Sequence, residues 1–86
     1  MVGSTITEIT SMMKRNPAGI RFKELCKVCD HFLGKARQRG TSHRIYEVPV
    51  RCLPPVNIQS KRGMAKDYQV RQVLKAIRLL EDKDGG

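Results

Sequence analysis

The sequence predicts an α+β domain: three antiparallel strands covered on one face by helices, in the order α-α-β-β-β-α. Three observations carry this expectation. Apolar residues recur at helical spacing in the first third of the chain. The middle third holds short runs of β-favouring residues bracketed by prolines. A second, longer helical stripe closes the chain.

The first helix is expected over 4–15, STITEITSMMKR, where Ile6, Ile9 and Met13 share a face. Thr5 followed three residues later by Glu8 fits a capping box. Asn16-Pro17-Ala18-Gly19 ends it, because the residue before a proline is pushed out of the helical region. A second helix is expected over 21–33, with Phe22, Leu25, Cys26, Cys29 and Phe32 in an apolar stripe and Lys23, Lys27 and Asp30 on the other side. Gly34 is placed to terminate it.

Strands are expected at 35–39, 43–48 and 56–59, with Gly40-Thr41-Ser42 as the turn between the first two. Pro49 and Pro54-Pro55 bracket a loop, since proline cannot donate to a ladder. In the third strand Val56 and Ile58 alternate with Asn57 and Gln59. In the second, two parities are open. If Tyr46 and Val48 face the core, His43 lies on the outer face with Ile45 and Glu47; if Ile45 faces the core, His43 starts on the inner side. Residues 60–66, SKRGMAK, read as a basic loop, and Asp67 as the cap of a helix over 68–81. That helix carries Val70, Val73, Leu74, Ile77 and Leu80 on one face and Arg71, Lys75 and Arg78 on another. The last residues, 82–86, are expected to form a flexible tail.

An 86-residue chain is expected to be a single domain, 1–86, with a small core that buries only about 60% of the unfolded surface. Lys and Arg number 17 against 8 Asp and Glu, a net charge of +9. Such a field favours a polyanion: RNA, DNA, an anionic membrane or an acidic protein. No apolar run approaches the roughly 20 residues of a spanning helix, and no apolar leader follows Met1. With three cysteines, an odd count, the expectation is a cytoplasmic protein. Aromatic residues make up 5% and Trp is absent, which argues against a base-stacking platform and for phosphate and shape contacts.

Cys26 and Cys29 have C-x-x-C spacing but sit mid-helix on the apolar face, where core packing of two thiols is the expectation. A zinc site would need Cys52 and either His43 or His31 as well. His31 reads as a surface residue near a helix C-terminus. Lys61, Arg62 and the stripe Arg71, Lys75, Arg78 are either phosphate contacts or a solvated face. His43 stands apart. Arg37, Arg39 and Arg44 surround it with charge, and Gly40, Thr41 and Ser42 offer an anion-friendly turn. An imidazole suits general acid–base chemistry, although a lone strand histidine is more often structural.

The order of "RQRGTSHRIY", "VNIQ" and "AKDYQVRQVLKAI", over about residues 20–80, resembles the HicA family. These are small toxins of bacterial toxin–antitoxin pairs, with a fold like a double-stranded-RNA-binding domain. The resemblance implies an endoribonuclease that cleaves mRNA (an mRNA interferase), uses no metal or cofactor, and is blocked by a HicB-type antitoxin. It places the family's catalytic histidine on His43, through Ser42-His43, with Thr41 inserted into the family's "G-S-H". The helix at 4–15 and the proline-rich 49–55 segment exceed the family pattern.

The expected chemistry is attack of a ribose 2′-OH on the adjacent phosphorus, with His43 as acid or base. Arg39 and Arg44 are the candidates for transition-state charge. Ser42, Arg37, Lys61, Arg62 and Lys66 are the candidate RNA contacts. No second acid–base group is evident. The competing expectations are a non-catalytic RNA-binding module and an interaction domain for an acidic protein.

Overall fold

The structure, a computed structural model, describes residues 5–40, 42–49 and 53–85, with side chains as far as Asp82. Helix α1 spans Ile6–Arg15. Its capping box forms as the sequence predicts: Thr5 Oγ1 accepts from the Glu8 N–H at 3.2 Å, and Glu8 Oε1 accepts from the Thr5 N–H at 2.9 Å. Those bonds hold the Glu8 carboxyl below its ordinary pKa. Ile9 and Met13 are buried. After Asn16, the segment Pro17–Gly19 makes one 3₁₀ turn. The chain then runs beside a sheet edge, where Ala65 N–H donates to the Ile20 carbonyl at 2.8 Å.

Helix α2 spans Phe22–Leu33 and ends at Gly34, as expected. The Glu24 carboxylate accepts from the Arg21 N–H at 3.0 Å, occupying one donor at its N-terminus. Phe22, Leu25, Cys26, Val28 and Cys29 are buried and Phe32 is half-buried.

Among the described residues four strands follow, not three: β1 (Gln38–Arg39), β2 (His43–Tyr46), β3 (Val56–Lys61) and β4 (Met64–Ala65). They lie in the order β1-β2-β3-β4, every pair antiparallel. The extra strand corrects the expectation of a loop over 60–66. Arg62 and Gly63 have φ of 55° and 82°, the pair of positive values that a two-residue type I′ hairpin turn requires. Gly63 reaches that region without a side-chain penalty; Arg62 does not. Ser60 Oγ accepts from the Gly63 N–H at 3.1 Å and braces the turn. The first two strands are shorter than expected. β2 stops at Tyr46, ahead of Pro49, although Val48 remains buried.

Helix α3 runs over Asp67–Gly85, past the expected end at 81 and through most of the predicted tail. Asp67 Oδ1 accepts from the Tyr68 N–H at 2.9 Å. Val70, Val73, Ala76 and Ile77 are buried, and so is Gln69. The Gln69 side chain has a backbone task. Beyond Ala65 the chain leaves the sheet, which would orphan the Gln59 N–H; Gln69 Oε1 accepts it at 2.7 Å.

Helices α2 and α3 pack on β3, and α1 packs across both. The core joins Ile9, Met13, Leu25, Val28, Val70 and Val73 to the inward side chains Tyr46, Val56 and Ile58. Tyr46 is fully buried, and its hydroxyl donates to Asp30 Oδ1 at 2.6 Å and accepts from Arg44 Nη1 at 3.2 Å. Burial and the Asp30 carboxylate push its ionisation far above the usual tyrosine range. No helix among the described residues is long and apolar enough to cross a membrane.

The turn yields a prediction. Arg62→Asn should lower the cost of a residue with a Cβ at positive φ, a region that Asn tolerates better, and raise stability by about 0.5–1 kcal/mol, or about 2–8 °C in Tm. Thermal denaturation reads it, and a lowered Tm would mean the turn is not type I′.

Candidate functional site

The sheet's open face is set by register. His43 opposes Gln59, Arg44 opposes Ile58, Ile45 opposes Asn57 and Tyr46 opposes Val56. Opposed side chains share a face. Tyr46, Val56 and Ile58 therefore point at the helices with Arg44. His43, Ile45, Asn57 and Gln59 lie on the other side. Of the two parities open in the sequence, the structure takes the one that puts His43 outside, with Tyr46 and Val48 in the core.

His43 opens β2 and is half-buried. Its Nε2 is hydrogen-bonded to Asn57 Oδ1, from the diagonal position on the neighbouring strand. In the tautomer that donates from Nε2 to this amide oxygen, Nδ1 is the nitrogen left to accept a proton. The turn before it is tight. Gly40 N–H donates to the His43 carbonyl at 2.7 Å, and a Cβ at Gly40 would stand 3.0 Å from that oxygen. Only glycine permits this approach without displacing the backbone of His43. Ser42 is exposed beside it, and its carbonyl accepts from the Ser60 N–H at 2.8 Å. The inserted Thr41 lies outside the described residues.

The predicted cations divide between the faces. Lys66 Nζ donates to Gln59 Oε1 at 2.9 Å, next to the residue that opposes His43. Lys61 has the parity of Gln59 and is exposed, and Arg62 is exposed at the hairpin tip. Arg44 and Arg39, expected to supply transition-state charge to His43, oppose each other across β1 and β2 with the inward parity. The pleat turns Arg44 away from the imidazole. Its Nη1 bonds the Tyr46 hydroxyl and stands 3.6 Å from Asp30 Oδ2. Arg37 is engaged by Glu47 at 2.7 Å, an exposed pair of small energetic value. The structure thus puts His43, Lys61 and the Gln59 that Lys66 bonds on one face of the sheet, and leaves Arg39 and Arg44 on the other. Two residues that the candidate set missed, Asn57 and Gln59, complete the cluster. Their signal was present, in the alternation of "VNIQ".

The remaining candidates lie away from His43's strand pair. Cys26 and Cys29 are buried, and burial pushes both thiols up, away from nucleophilic thiolate. Among the described residues no group of three potential ligands could hold a metal, and Cys52 is outside them. His31 is exposed and meets Phe32 edge-on, with centroids 4.8 Å apart. Arg71, Lys75 and Arg78 are exposed on α3, Arg71 lying 3.9 Å from Asp67.

Chemically, the open face offers an imidazole whose orientation is held by an amide, across the strand pair from a glutamine that binds an ammonium group. This is the arrangement of a base fixed by a second residue. Neither a family model, nor a curated protein, nor a solved structure matches this chain.

If Asn57 holds the ring, the His43 Nε2–H should exchange slowly enough to appear in proton–nitrogen NMR spectra of the wild type and vanish in Asn57→Ala. The same signal in both proteins would show that Asn57 does not hold it.

Proposed function

We propose that this protein is a metal-independent endoribonuclease of the HicA type, the toxin of a toxin–antitoxin pair, acting on mRNA in the cytoplasm and silenced by a HicB-type antitoxin. The observation that carries the reading is the His43–Asn57 pair on the open face of the sheet, beside Gln59 and Lys66. The succession α2-β1-β2-β3-β4-α3, with helices on one face, supports a scaffold like a double-stranded-RNA-binding domain. The charge of +9 supports a nucleic-acid substrate.

In this reading the 2′-oxygen attacks the neighbouring phosphorus as its proton is removed. The phosphorus–5′-oxygen bond breaks and the departing oxygen takes up a proton, matching the one lost by the 2′-oxygen, so that a 2′,3′-cyclic phosphate and a 5′-hydroxyl result. No water, oxidant or metal enters the balance. His43 handles the proton at Nδ1, and Asn57 keeps the ring from turning. Lys66, tethered by Gln59, supplies charge to the phosphorane in the role first assigned to Arg39 and Arg44. The open face would also be what the antitoxin covers.

His43→Ala should lower cleavage of a single-stranded RNA by roughly 10²–10⁴-fold while leaving the thermal transition in place, and excess EDTA should not slow the wild type. Undiminished cleavage by the variant would remove the catalytic assignment and leave a non-catalytic RNA-binding module.

A further inference from the structure

A second surface lies on the helix side of the sheet. A groove of about 640 Å³ runs between α2 and the β3–β4 hairpin, walled by Arg21, Lys23, Lys27, Arg44, Asp30 and Ser60. Among the described residues, four cations and one carboxylate line it. That carboxylate is partly committed, since Asp30 Oδ1 takes the Tyr46 hydroxyl at 2.6 Å. Its other oxygen is 3.6 Å from Arg44, an ion pair without a close hydrogen bond. Arg44 Nε is, among the described residues, the buried side-chain nitrogen with no acceptor in the protein. Like charges gathered in a concave wall repel one another and focus a positive field into it.

The spacing of these cations suits a regular polyanion. Lys23 and Lys27 are both exposed on α2, one turn and about 6 Å apart along its axis. Arg21 precedes them at the helix N-terminus. This separation is of the order of the distance between successive phosphates in an extended strand. Arg44, braced by Tyr46 from behind, presents a planar guanidinium rather than a mobile ammonium.

The groove also connects to the open face. Ser60 has the inward parity and lines it, whereas Lys61, the next residue, has the outward parity of Gln59. Arg62 stands exposed at the tip between them, at φ 55°, a conformation that arginine adopts only at a cost. A strand lying along the open face can turn around this basic tip and enter the groove.

We propose that the groove is a second RNA site, which grips the phosphate backbone of single-stranded RNA flanking the segment at His43. The proposal rests on the reading of the protein as an RNA binder, and it moves Arg44 from the chemistry to the grip on substrate.

Fluorescence anisotropy with a labelled 2′-O-methyl RNA, which lacks the attacking hydroxyl, isolates binding from cleavage. Over 50–200 mM KCl, the double variant Lys23→Gln/Lys27→Gln should bind about tenfold or more weakly and lose about 1.4 from the slope of log K against log salt, the share of two single-strand phosphates. Lys75→Gln/Arg78→Gln, on the exposed side of α3, carries the same change in net charge and should leave the slope near wild type. Arg21→Gln should lose about half as much slope as the α2 pair. Equal losses from both double variants would mean general attraction to a basic protein and would overturn the groove, as would no loss from the α2 pair or no binding by the wild type. A slope loss confined to the α2 pair sustains the groove even if cleavage proves insensitive to His43→Ala, so the two assignments fail separately.

Discussion

The pairing of β2 with β3 is the constraint on which the rest depends. Side chains alternate across a strand, so a slip of one residue would exchange the faces. Tyr46 holds the register from the inside. It is fully buried, and its hydroxyl would be costly there without the Asp30 carboxylate that accepts it and the Arg44 guanidinium that donates to it. Gln69 holds β3 from its other edge, taking the Gln59 N–H where β4 has ended. A strand shifted by one residue would bring Ile45 or Glu47 under α2 in place of Tyr46, leaving Asp30 without its donor.

From that register comes the division of charge. Neighbours in sequence, His43 and Arg44, are separated by the thickness of the sheet. One joins the Asn57 amide on the open face, the other a phenol and a carboxylate on the helix side. The sheet thereby builds two surfaces of different character from one basic segment. The hairpin tip between them is where local strain and exposed charge coincide, and natural chains keep such strain where function outweighs stability.

Helix positions were legible because their signals are local. The capping pair Thr5 and Glu8, the stripe from Phe22 to Cys29, and Gly34 all act within a few residues of one another. The outward alternation of Asn57 and Gln59 was legible for the same reason. The β3–β4 hairpin was not, because Arg62-Gly63 lacks the Asn-Gly or Asp-Gly signature and a basic run reads as solvated loop. The side taken by His43 needed a partner far away in sequence: Asp30, sixteen residues before Tyr46, decides between two parities that the strand alone allows. The same holds for Lys66, whose place on the open face follows from its bond to Gln59, the residue opposite His43.

The register is open to one direct measurement. The Ser60-to-Ser42 hydrogen bond makes His43–Gln59 a pair of closely spaced, non-hydrogen-bonded partners, and Ile45–Asn57 follows two residues on. Proton NMR should therefore show strong cross-strand Hα–Hα nuclear Overhauser effects between His43 and Gln59 and between Ile45 and Asn57. Effects linking Arg44 to Gln59 or to Asn57 instead would place Arg44 on the open face with Asn57 and contradict the account.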